Sequence, residues 1–431
     1  MGYSLGANQK EVTIMARRLR LEPEDIIVGL DLAGEQHQAA ICRMEGERLT
    51  RFRVPHSLVG FDDLLMRARL LASQSSGRRV FAFEATGHVW EALAHYLEAR
   101  GEEYVIVNPL ATFRLREARQ MNRHKTDISD AEQIAELVRN DLVTETKLEA
   151  GPYLELRRSW GEYARLREER ARLKTLLSHQ LYGVFPELRS VWTDLLAPGC
   201  LAVLRLGLTP QEIGAMPVND FIRRAKAASR GRRLWRFKLM AVHERAQRTV
   251  VPAAALGPLA RELARLAERV DLLSDQIDAL ALEIQKVLAV VKESRYLLSI
   301  PGLAWSSAAG ILAHVGSIDK YRHGRQLIKL AGTNPSRHDT GQRIGRKQGM
   351  THRGRSGLRQ VLYMATLSCL QHNPRIRAHF DRLIQRPDRP LARMQAFGAC
   401  MNKLLLYAFA VMKRRETFDA EHAWKGAALV A

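Results

Sequence analysis

The fold is decided by one stretch of the sequence, DIIVGLDLAGEQHQAAICRMEGERLTRFRV, residues 25–54. It predicts an apolar strand, a tight turn and a second, alternating strand, with a third strand to follow. Two more short apolar strands are predicted in RRVFAFEAT and EEYVIVNP, and the helical segment GHVWEALAHYLEARG lies between them. Because strands that alternate with helices usually share one sheet, this block predicts an α/β domain.

The composition of the whole chain points to a polyanionic partner. The 431 residues are enough for two or three domains, and a hydrophobic content of 46% is ordinary for a globular protein. The charge is not ordinary, since 67 Lys and Arg against 46 Asp and Glu give a net charge of +21. Such an excess favours nucleic acid, because each neutralised phosphate releases counterions and so increases affinity.

Three further features favour a cytoplasmic protein without a membrane partner. No apolar run reaches the ~20 residues of a membrane span, and the N-terminal segment MGYSLGANQKEVTIMARRLR contains no signal-peptide core. The cysteines show no paired metal-binding spacing and fit a reducing compartment. They are Cys42, Cys200, Cys369 and Cys400.

A heptad pattern predicts a coiled coil in the middle of the chain. From Leu256 to Val287 the apolar residues recur at alternating steps of three and four, which is the spacing of a coiled-coil seam. An earlier helix, about residues 153–182, is a candidate antiparallel partner. The pair is either an ordinary long helical hairpin or a rod that also pairs with a second chain, and the long clean seam favours the rod. The partner's seam leucines are Leu166, Leu173, Leu177 and Leu181.

Between these helices lies a basic insertion, FIRRAKAASRGRRLWRFKLM, residues 221–240. It contains eight Arg or Lys residues with Phe221, Trp235 and Phe237 among them. This composition is typical of a surface that stacks bases and binds phosphates, although a solvated basic helix explains it equally well. The candidate phosphate-binding residues are Arg232, Arg233 and Arg236.

Four carboxylates are candidates for a metal site. Asp31 ends the first predicted strand, Glu84 ends the strand VFAFE, and Asp127 and Asp130 begin the helix in NRHKTDISDAEQIAEL. The spacing of three places the last two on one helix face, and neighbouring strand ends can converge at one edge of a sheet. Carboxylate oxygens suit Mg²⁺ or Mn²⁺, and two such ions about 4 Å apart promote phosphoryl transfer.

Each carboxylate also has an ordinary structural explanation. Asp31 could begin a turn, and Glu84 could interact with the N-terminus of the next helix. With Thr126 as the N-cap, Asp127 and Asp130 could be first-turn residues that the helix dipole favours. The coincidence of all four in a chain of net charge +21 favours the metal site. Two basic residues just before the helix would then contact phosphates, Arg123 and Lys125.

These motifs resemble a known family. The order GLDLAG, FEATG and KTDISDAEQIAEL is similar to the RuvC-like domain of the DEDD insertion-sequence transposases of the Piv-invertase type, insertion-sequence family 110. Two later segments, SIPGLAWSSAAGILAHVGSIDKYRHGRQLIKLAGTNP and THRGRSGLRQVLYMAT, resemble the second conserved domain of that family. Short motifs such as GLDLAG are weak alone, whereas the acidic helix motif followed by the C-terminal block is specific.

The resemblance implies α/β plus α architecture and a division of the chain. The expected parts are an N-terminal extension, a RuvC-like RNase H-type catalytic domain, a coiled-coil region with the basic insertion, a helical C-terminal transposase domain and a tail. The corresponding ranges are residues 1–25, 26–150, 151–295, 296–415 and 416–431.

The resemblance also implies an activity and partners. It assigns Asp31, Glu84, Asp127 and Asp130 to the family's metal-binding acidic positions. It implies a bacterial site-specific DNA recombinase that excises and inserts its element and is guided by a non-coding RNA of that element. It further implies homo-oligomers, as dimers that pair into tetramers. The expected partners are therefore double-stranded DNA, a guide RNA and other copies of the chain.

The family places a serine nucleophile immediately before a glycine in a C-terminal loop. The matching pair here is Thr340–Gly341, in HDTGQ, so that threonine stands in the serine position. The extra methyl group stiffens the side chain, and Ser336 on the same loop is an alternative nucleophile. A copy without a covalent nucleophile is a third option. Phosphates would be bound by the loop's cations Arg343, Arg346, Lys347, Arg353 and Arg355.

Three rival functions stay open at the level of sequence. A RuvC-like structure-specific endonuclease would use the acidic site on water and leave free DNA ends. A catalytically decayed nucleic-acid-binding scaffold would be insensitive to loss of Asp31 or Asp127. A sugar-kinase-like phosphotransferase is the weakest rival, because a convincing second nucleotide-binding segment is missing from the sequence. The favoured function is a metal-dependent DNA transposase-recombinase.

Overall fold

The computed structural model describes residues 21–85, 89–107, 112, 115, 117, 130–140, 151–251, 256–337 and 347–421. The side chains of residues 75, 336, 337, 347 and 348 also lie outside the description. The chain forms two compact units, Met1–Glu149 and Ala150–Ala431.

The first unit contains a five-stranded mixed sheet with the strand order β3-β2-β1-β4-β5. The strand β1 runs antiparallel to β2 and parallel to β4, and β5 continues the parallel part. This confirms the predicted α/β sheet and fits an RNase H-like domain. The strands are β1 (Ile26–Asp31), β2 (Gln36–Arg43), β3 (Arg48–Pro55), β4 (Arg79–Glu84) and β5 (Glu103–Val107).

Both faces of the sheet are covered by helices, which explains why the central strands are apolar throughout. Along β1 the side chains alternate, so that Ile26, Val28 and Leu30 join the core on one face while Ile27 joins the core on the other. The helices α1 (Leu58–Ser75) and α2 (Val89–Ala99) cover the first face, and α3 (Asp130–Arg139) covers the second.

The second unit is built on two long antiparallel helices, α4 (Pro152–Val184) and α10 (Leu256–Val290). Gln180 near the end of α4 donates to Glu262 near the start of α10, and Tyr153 at the other end of α4 donates to Glu293, just beyond α10. Most of the predicted heptad seam of α10 is buried, although Leu259 is 39% exposed. The two helices therefore form an intrachain pair, and pairing with a second chain stays a prediction.

Short helices between the long pair enclose a separate core. Phe221 is fully buried in it, beside Leu239, Val242 and Ala246. The hypothesis that Phe221 belongs to a base-stacking surface is therefore wrong, because its ring packs inside the protein. The helices are α5 (Leu188–Val191), α6 (Pro198–Leu204), α7 (Pro210–Ala215), α8 (Val218–Ala227) and α9 (Arg236–Gln247).

The remainder of the second unit is helical around a small hairpin. Gly302 has a positive φ of 91°, and a Cβ there would lie 2.7 Å from the Cα of Cys369, so the turn packs directly against a helix. The elements are α11 (Ser294–Leu298), α12 (Trp305–Val315), a 3₁₀ turn (Ile318–Lys320), α13 (Gly324–Ala331), β6 (Pro335–Arg337), β7 (Lys347–Met350), α14 (Ser356–His372), α15 (Pro374–Ile384) and α16 (Arg393–Arg414).

One described helix, α16, is long and apolar enough to cross a membrane by length and composition alone. Its apolar window is 56% buried inside the protein, with Cys400, Leu404 and Ala408 in the core. The apolar character is thus that of a core helix. All four cysteines are free and buried, as expected for packing residues, and burial raises the pKa of the Cys42 thiol to about 11.

Candidate active site and nucleic-acid surfaces

Two of the predicted carboxylates stand side by side at one edge of the sheet. The strands β1 and β4 are parallel, and Leu30 pairs with Phe83. Asp31 and Glu84, which follow these partners directly, therefore end neighbouring strands at the same edge. Since paired strands are about 4.8 Å apart, this register places the two acids next to each other, and both side chains are partly exposed.

A close backbone contact brings the third carboxylate to this part of the sheet. Gly29 lies so near α3 that a Cβ on it would be 2.0 Å from the carbonyl oxygen of Ala131. Only a glycine permits this approach, and it sets the first turn of α3 against β1. Asp130 begins that turn and is partly exposed. In the sequence GLD, Gly29 therefore makes the close contact with α3, and Asp31 is the acid that ends β1.

The acidic edge offers the type of donor atom that a divalent metal ion requires. Asp31, Glu84 and Asp130 offer carboxylate oxygens, the ligands preferred by Mg²⁺ and Mn²⁺. Within the described ranges, no three His, Cys, Asp or Glu residues form a ready-made metal cluster. The predicted fourth ligand, Asp127, and the predicted phosphate contacts Arg123 and Lys125 lie outside the described residues.

A pair of histidines, of which His37 is buried and His56 is exposed, supports the turn after Asp31 and was not found from the sequence. The backbone N–H of Ala33 donates to Nδ1 of His37 at 3.2 Å, so Nε2 of His37 carries the proton and donates to Nδ1 of His56 at 3.0 Å. Phe61 stacks on His37 at 6.0 Å between ring centroids. Burial, and secondarily His56, lower the pKa of His37. The available signal was a histidine on the inward face of an alternating strand.

The predicted nucleophile loop is held at its base by a two-stranded stem. Pro335 pairs with Met350 across β6 and β7. Below the stem, Gly332 has a φ of 66°, and a Cβ there would lie 2.8 Å from the backbone nitrogen of Gly354. Asn402 of α16 donates to the carbonyl of Thr333 at 3.1 Å. These contacts fix both chain ends that enter the loop.

Only some of the loop residues predicted from the sequence lie within the described part of the chain. Thr340, Arg343 and Arg346 lie outside the described residues, and Ser336 and Lys347 are described only as backbone in β6 and β7. Of the two described cations, Arg353 is exposed.

Arg355 is engaged within the protein, since its guanidinium donates to the carbonyl of His314. Burial and the neighbouring Arg355 and Arg157 lower the pKa of His314 to about 4, so this imidazole stays neutral at neutral pH.

Comparison with protein families decides the identity of the chain. Residues 28–186 match a family described as transposase, of the DEDD insertion-sequence 110 type, and residues 294–381 match the transposase IS116/IS110/IS902 family. Together these matches cover more than half of the chain and include the acidic edge and the loop. The chain belongs to the DEDD insertion-sequence transposases. It is thus an enzyme of the DNA transposase/recombinase class.

Individual relatives of the transposase agree with this assignment. A candidate mini-circle transposase for IS117 from Streptomyces coelicolor is 24% identical over 93% of this chain and 96% of its own length. The pilin gene-inverting protein of Moraxella lacunata is 26% identical over 34% of this chain and 46% of its own length. A 44.8 kDa protein of insertion element IS116 from Streptomyces clavuligerus is 23% identical over 91% of this chain and 96% of its own length.

The three candidate cations of the basic insertion are exposed, and each contacts a neighbouring side chain. Arg232 lies 3.8 Å from Asp275, and Arg236 donates to Asn219 at 3.1 Å. Arg233 lies over the ring of Trp235, 4.9 Å from its centroid. The residues Trp235 and Phe237 are 55% and 64% exposed. Of the three rings in the insertion, two therefore face solvent.

Proposed function

We propose that this transposase cleaves and exchanges DNA strands in a Mg²⁺-dependent reaction that excises and inserts an insertion sequence. The observation that carries the proposal is the pairing of the strand ends of Asp31 and Glu84 with the first turn of α3 packed beside them at Gly29. An acidic edge of this kind, in a chain of net charge +21, suits a polyanionic substrate whose reacting phosphate is bound through cations.

The acidic residues and the loop have separate roles in this proposal. Asp31, Glu84, Asp127 and Asp130 would hold the divalent ions, which when bound supply activation of a hydroxyl and stabilisation of a leaving 3′-oxygen. The hydroxyl oxygen of Thr340, or of Ser336 as the alternative, forms a bond to phosphorus while the phosphorus–O3′ bond breaks. The hydroxyl proton leaves to a base, and the released O3′ takes up a proton. Rejoining reverses these steps and requires no external energy source.

The remaining cations orient the DNA. We assign Arg123 and Lys125 to phosphates near the acidic edge, and Arg343, Arg346, Lys347 and Arg353 to phosphates near the loop. We assign Arg355 to the same phosphates. Its hydrogen bond to the carbonyl of His314 also stabilises the fold next to the loop. In the middle region all three candidate cations are exposed. Arg233 lies over the ring of Trp235, whereas Arg232 and Arg236 contact the polar side chains of Asp275 and Asn219.

The partners and the domain organisation that we propose are those that the family resemblance implies. We propose that the cytoplasmic enzyme acts on the element ends and the target, that an element-encoded RNA guides it, and that it works as a dimer or tetramer. The domains are a RuvC-like domain (26–150), a coiled-coil region (151–295) and a helical transposase domain (296–415). The mixed strand order supports the first, and the long antiparallel helices support the second.

A covalent-capture assay tests the chemistry directly. Purified protein is incubated with the element ends, co-purifying RNA and Mg²⁺, digested with protease, and searched by mass spectrometry for a peptide that carries a nucleotide. We expect an adduct on Thr340 that is absent in the Asp31→Asn variant and survives in Ser336→Ala. An adduct on Ser336 would move the nucleophile and keep the mechanism. DNA cut to free ends would instead establish a hydrolytic nuclease, and DNA bound but intact would indicate a decayed copy.

A further inference from the structure

The exposed rings of the basic insertion are separate from the apolar residues that pack this segment against the core. The helix α9 already buries a complete apolar face with Leu239, Val242 and Ala246, at the spacing expected for a helix packed on one side. Phe237 and Met240 lie on the same helix and are 64% and 48% exposed. The segment thus presents a second apolar surface that the described part of the protein leaves uncovered.

The two exposed rings are neighbours. The centroids of Trp235 and Phe237 are 6.1 Å apart with an angle of 52° between their planes. Arg233 lies over Trp235, at 4.9 Å from the ring centroid. A guanidinium over an indole is attracted to the face of the ring, so it keeps the ring oriented and places a positive charge next to it. We refer to Arg233, Trp235 and Phe237 as the aromatic platform.

The chain leading to the platform is fixed to the long helix α10. Arg230 and Gly231 have consecutive positive φ values of 55° and 78°, which turn the backbone sharply. The guanidinium of Arg230 lies 3.0 Å from the carboxylate of Asp275, on α10. Beneath it, Arg205 and Asp271 form a buried ion pair. The platform is therefore attached to a rigid element, which lowers the entropic cost of binding a ligand.

The charge around the platform selects the kind of partner. Residues 221–240 contain eight Arg or Lys and no Asp or Glu, so a polyanion complements this surface best. In duplex DNA the faces of the bases are stacked on each other and cannot meet an aromatic side chain. Unpaired bases can stack on such a ring while their phosphates contact nearby cations, and the stacking tolerates any base sequence.

We propose that the aromatic platform binds the unpaired bases of a single-stranded polynucleotide by stacking them on Trp235 and Phe237. Arg233 neutralises the adjacent phosphate. RNA and single-stranded DNA share this chemistry, so both are tested. The proposal rests on the proposed function only for the presence of nucleic acid, and it adds a binding surface remote in sequence from the acidic residues and the loop.

The test measures fluorescence anisotropy of labelled strands of about 20 nucleotides, oligo-U and oligo-dT, and of a duplex of the same length. The full-length chain carries Asp31→Asn to prevent cleavage, and EDTA is present. We expect Trp235→Ala and Phe237→Ala each to weaken single-strand binding by roughly tenfold, while duplex binding changes by less than about threefold. The ratio of the oligo-U and oligo-dT effects identifies the natural strand.

Matched variants separate stacking from general apolar contact. Trp235→Phe retains an aromatic face and should keep most of the affinity, whereas Trp235→Leu should lose as much as Trp235→Ala. Tyr182 is 60% exposed and has Arg189 at 4.7 Å over its ring, so Tyr182→Ala is the control for an exposed aromatic outside the platform. Binding should also quench tryptophan fluorescence in the parent protein and not in Trp235→Phe.

Several outcomes would overturn the proposal. These are unchanged single-strand affinity in both alanine variants, equal losses for single strands and duplex, or an equal loss in Tyr182→Ala. Binding to phosphatidylserine vesicles that depends on these rings, without ring-dependent binding of oligonucleotides, would assign the surface to a membrane instead. If single strands bind through these rings but no covalent adduct forms, only the proposed function is rejected. If an adduct forms but strand binding does not depend on the rings, only the aromatic platform is rejected.

Discussion

The acidic edge of the first unit and the basic loop of the second carry the two halves of the proposed chemistry, and they are supported in different ways. At the edge, each described acid belongs to a strand or helix: Asp31 and Glu84 by sheet register, and Asp130 by the first turn of α3. At the loop, the described contacts lie at the base, where Gly332 meets Gly354. The position of a residue in a strand or helix can be predicted from the sequence pattern. A functional residue in a loop can be identified only by its resemblance to a known motif.

The sharpest way to test this difference is to remove an acid from the edge. We expect Asp31→Asn to lower the rate of DNA strand cleavage by roughly a thousandfold or more, because metal-assisted charge stabilisation contributes several kcal/mol to such reactions. The rate is measured on labelled element ends. Gln38 is the register partner of Asp31 on β2 and is exposed, so Gln38→Ala is the matched control. Equal rates in the parent and Asp31→Asn would remove this edge from the mechanism.

The second test concerns the contact that aligns α3 with β1. A Cβ at position 29 would lie 2.0 Å from the backbone oxygen of Ala131, and no flexible side chain there can move aside. We expect Gly29→Ala to lower the free energy of unfolding by about 3 kcal/mol or more. Urea denaturation of the full chain measures the loss. Gly34→Ala is the control, since nothing lies within 4 Å of its Cβ; a similar loss in both variants would show that the close approach is unimportant.

A smaller effect is expected at the base of the loop. Gly332→Ala combines a left-handed backbone with a Cβ 2.8 Å from the nitrogen of Gly354, so we expect a loss of about 2–4 kcal/mol in unfolding free energy. Gly101 also has a positive φ, of 69°, but open space around its Cβ. Gly101→Ala should therefore cost only about 1–2 kcal/mol. Equal losses would mean that conformation alone, and not the contact with Gly354, makes glycine necessary at position 332.

The same contrast explains how far the sequence could predict this molecule. The five strands, the long helices and the strand-end positions of Asp31 and Glu84 followed from periodicity, because burial on both faces of a sheet leaves a clear apolar pattern. The burial of Phe221 did not follow, since composition cannot tell which aromatic ring of a basic segment turns inward. The contact of Gly29 with α3 was equally hidden, because it joins residues about a hundred positions apart in sequence.

The smallest effect is expected from His37, whose ring accepts a hydrogen bond from the turn after Asp31. Burial lowers the pKa of His37, so the folded protein binds its proton more weakly than the unfolded chain does. Its contribution to stability is therefore complete above the unfolded-state pKa of about 6.5 and is lost as the pH falls below that value towards the folded-state pKa. Protonation would also occupy Nδ1, the acceptor for the N–H of Ala33.

The variant His37→Asn isolates this titration, because an asparagine oxygen can accept the Ala33 hydrogen bond without titrating. We expect the parent protein to lose more unfolding free energy than His37→Asn between pH 8 and pH 5, as measured by urea denaturation at each pH. The difference should vanish above neutral pH. Equal losses of unfolding free energy in the parent and in His37→Asn would show that protonation of His37 does not destabilise the fold.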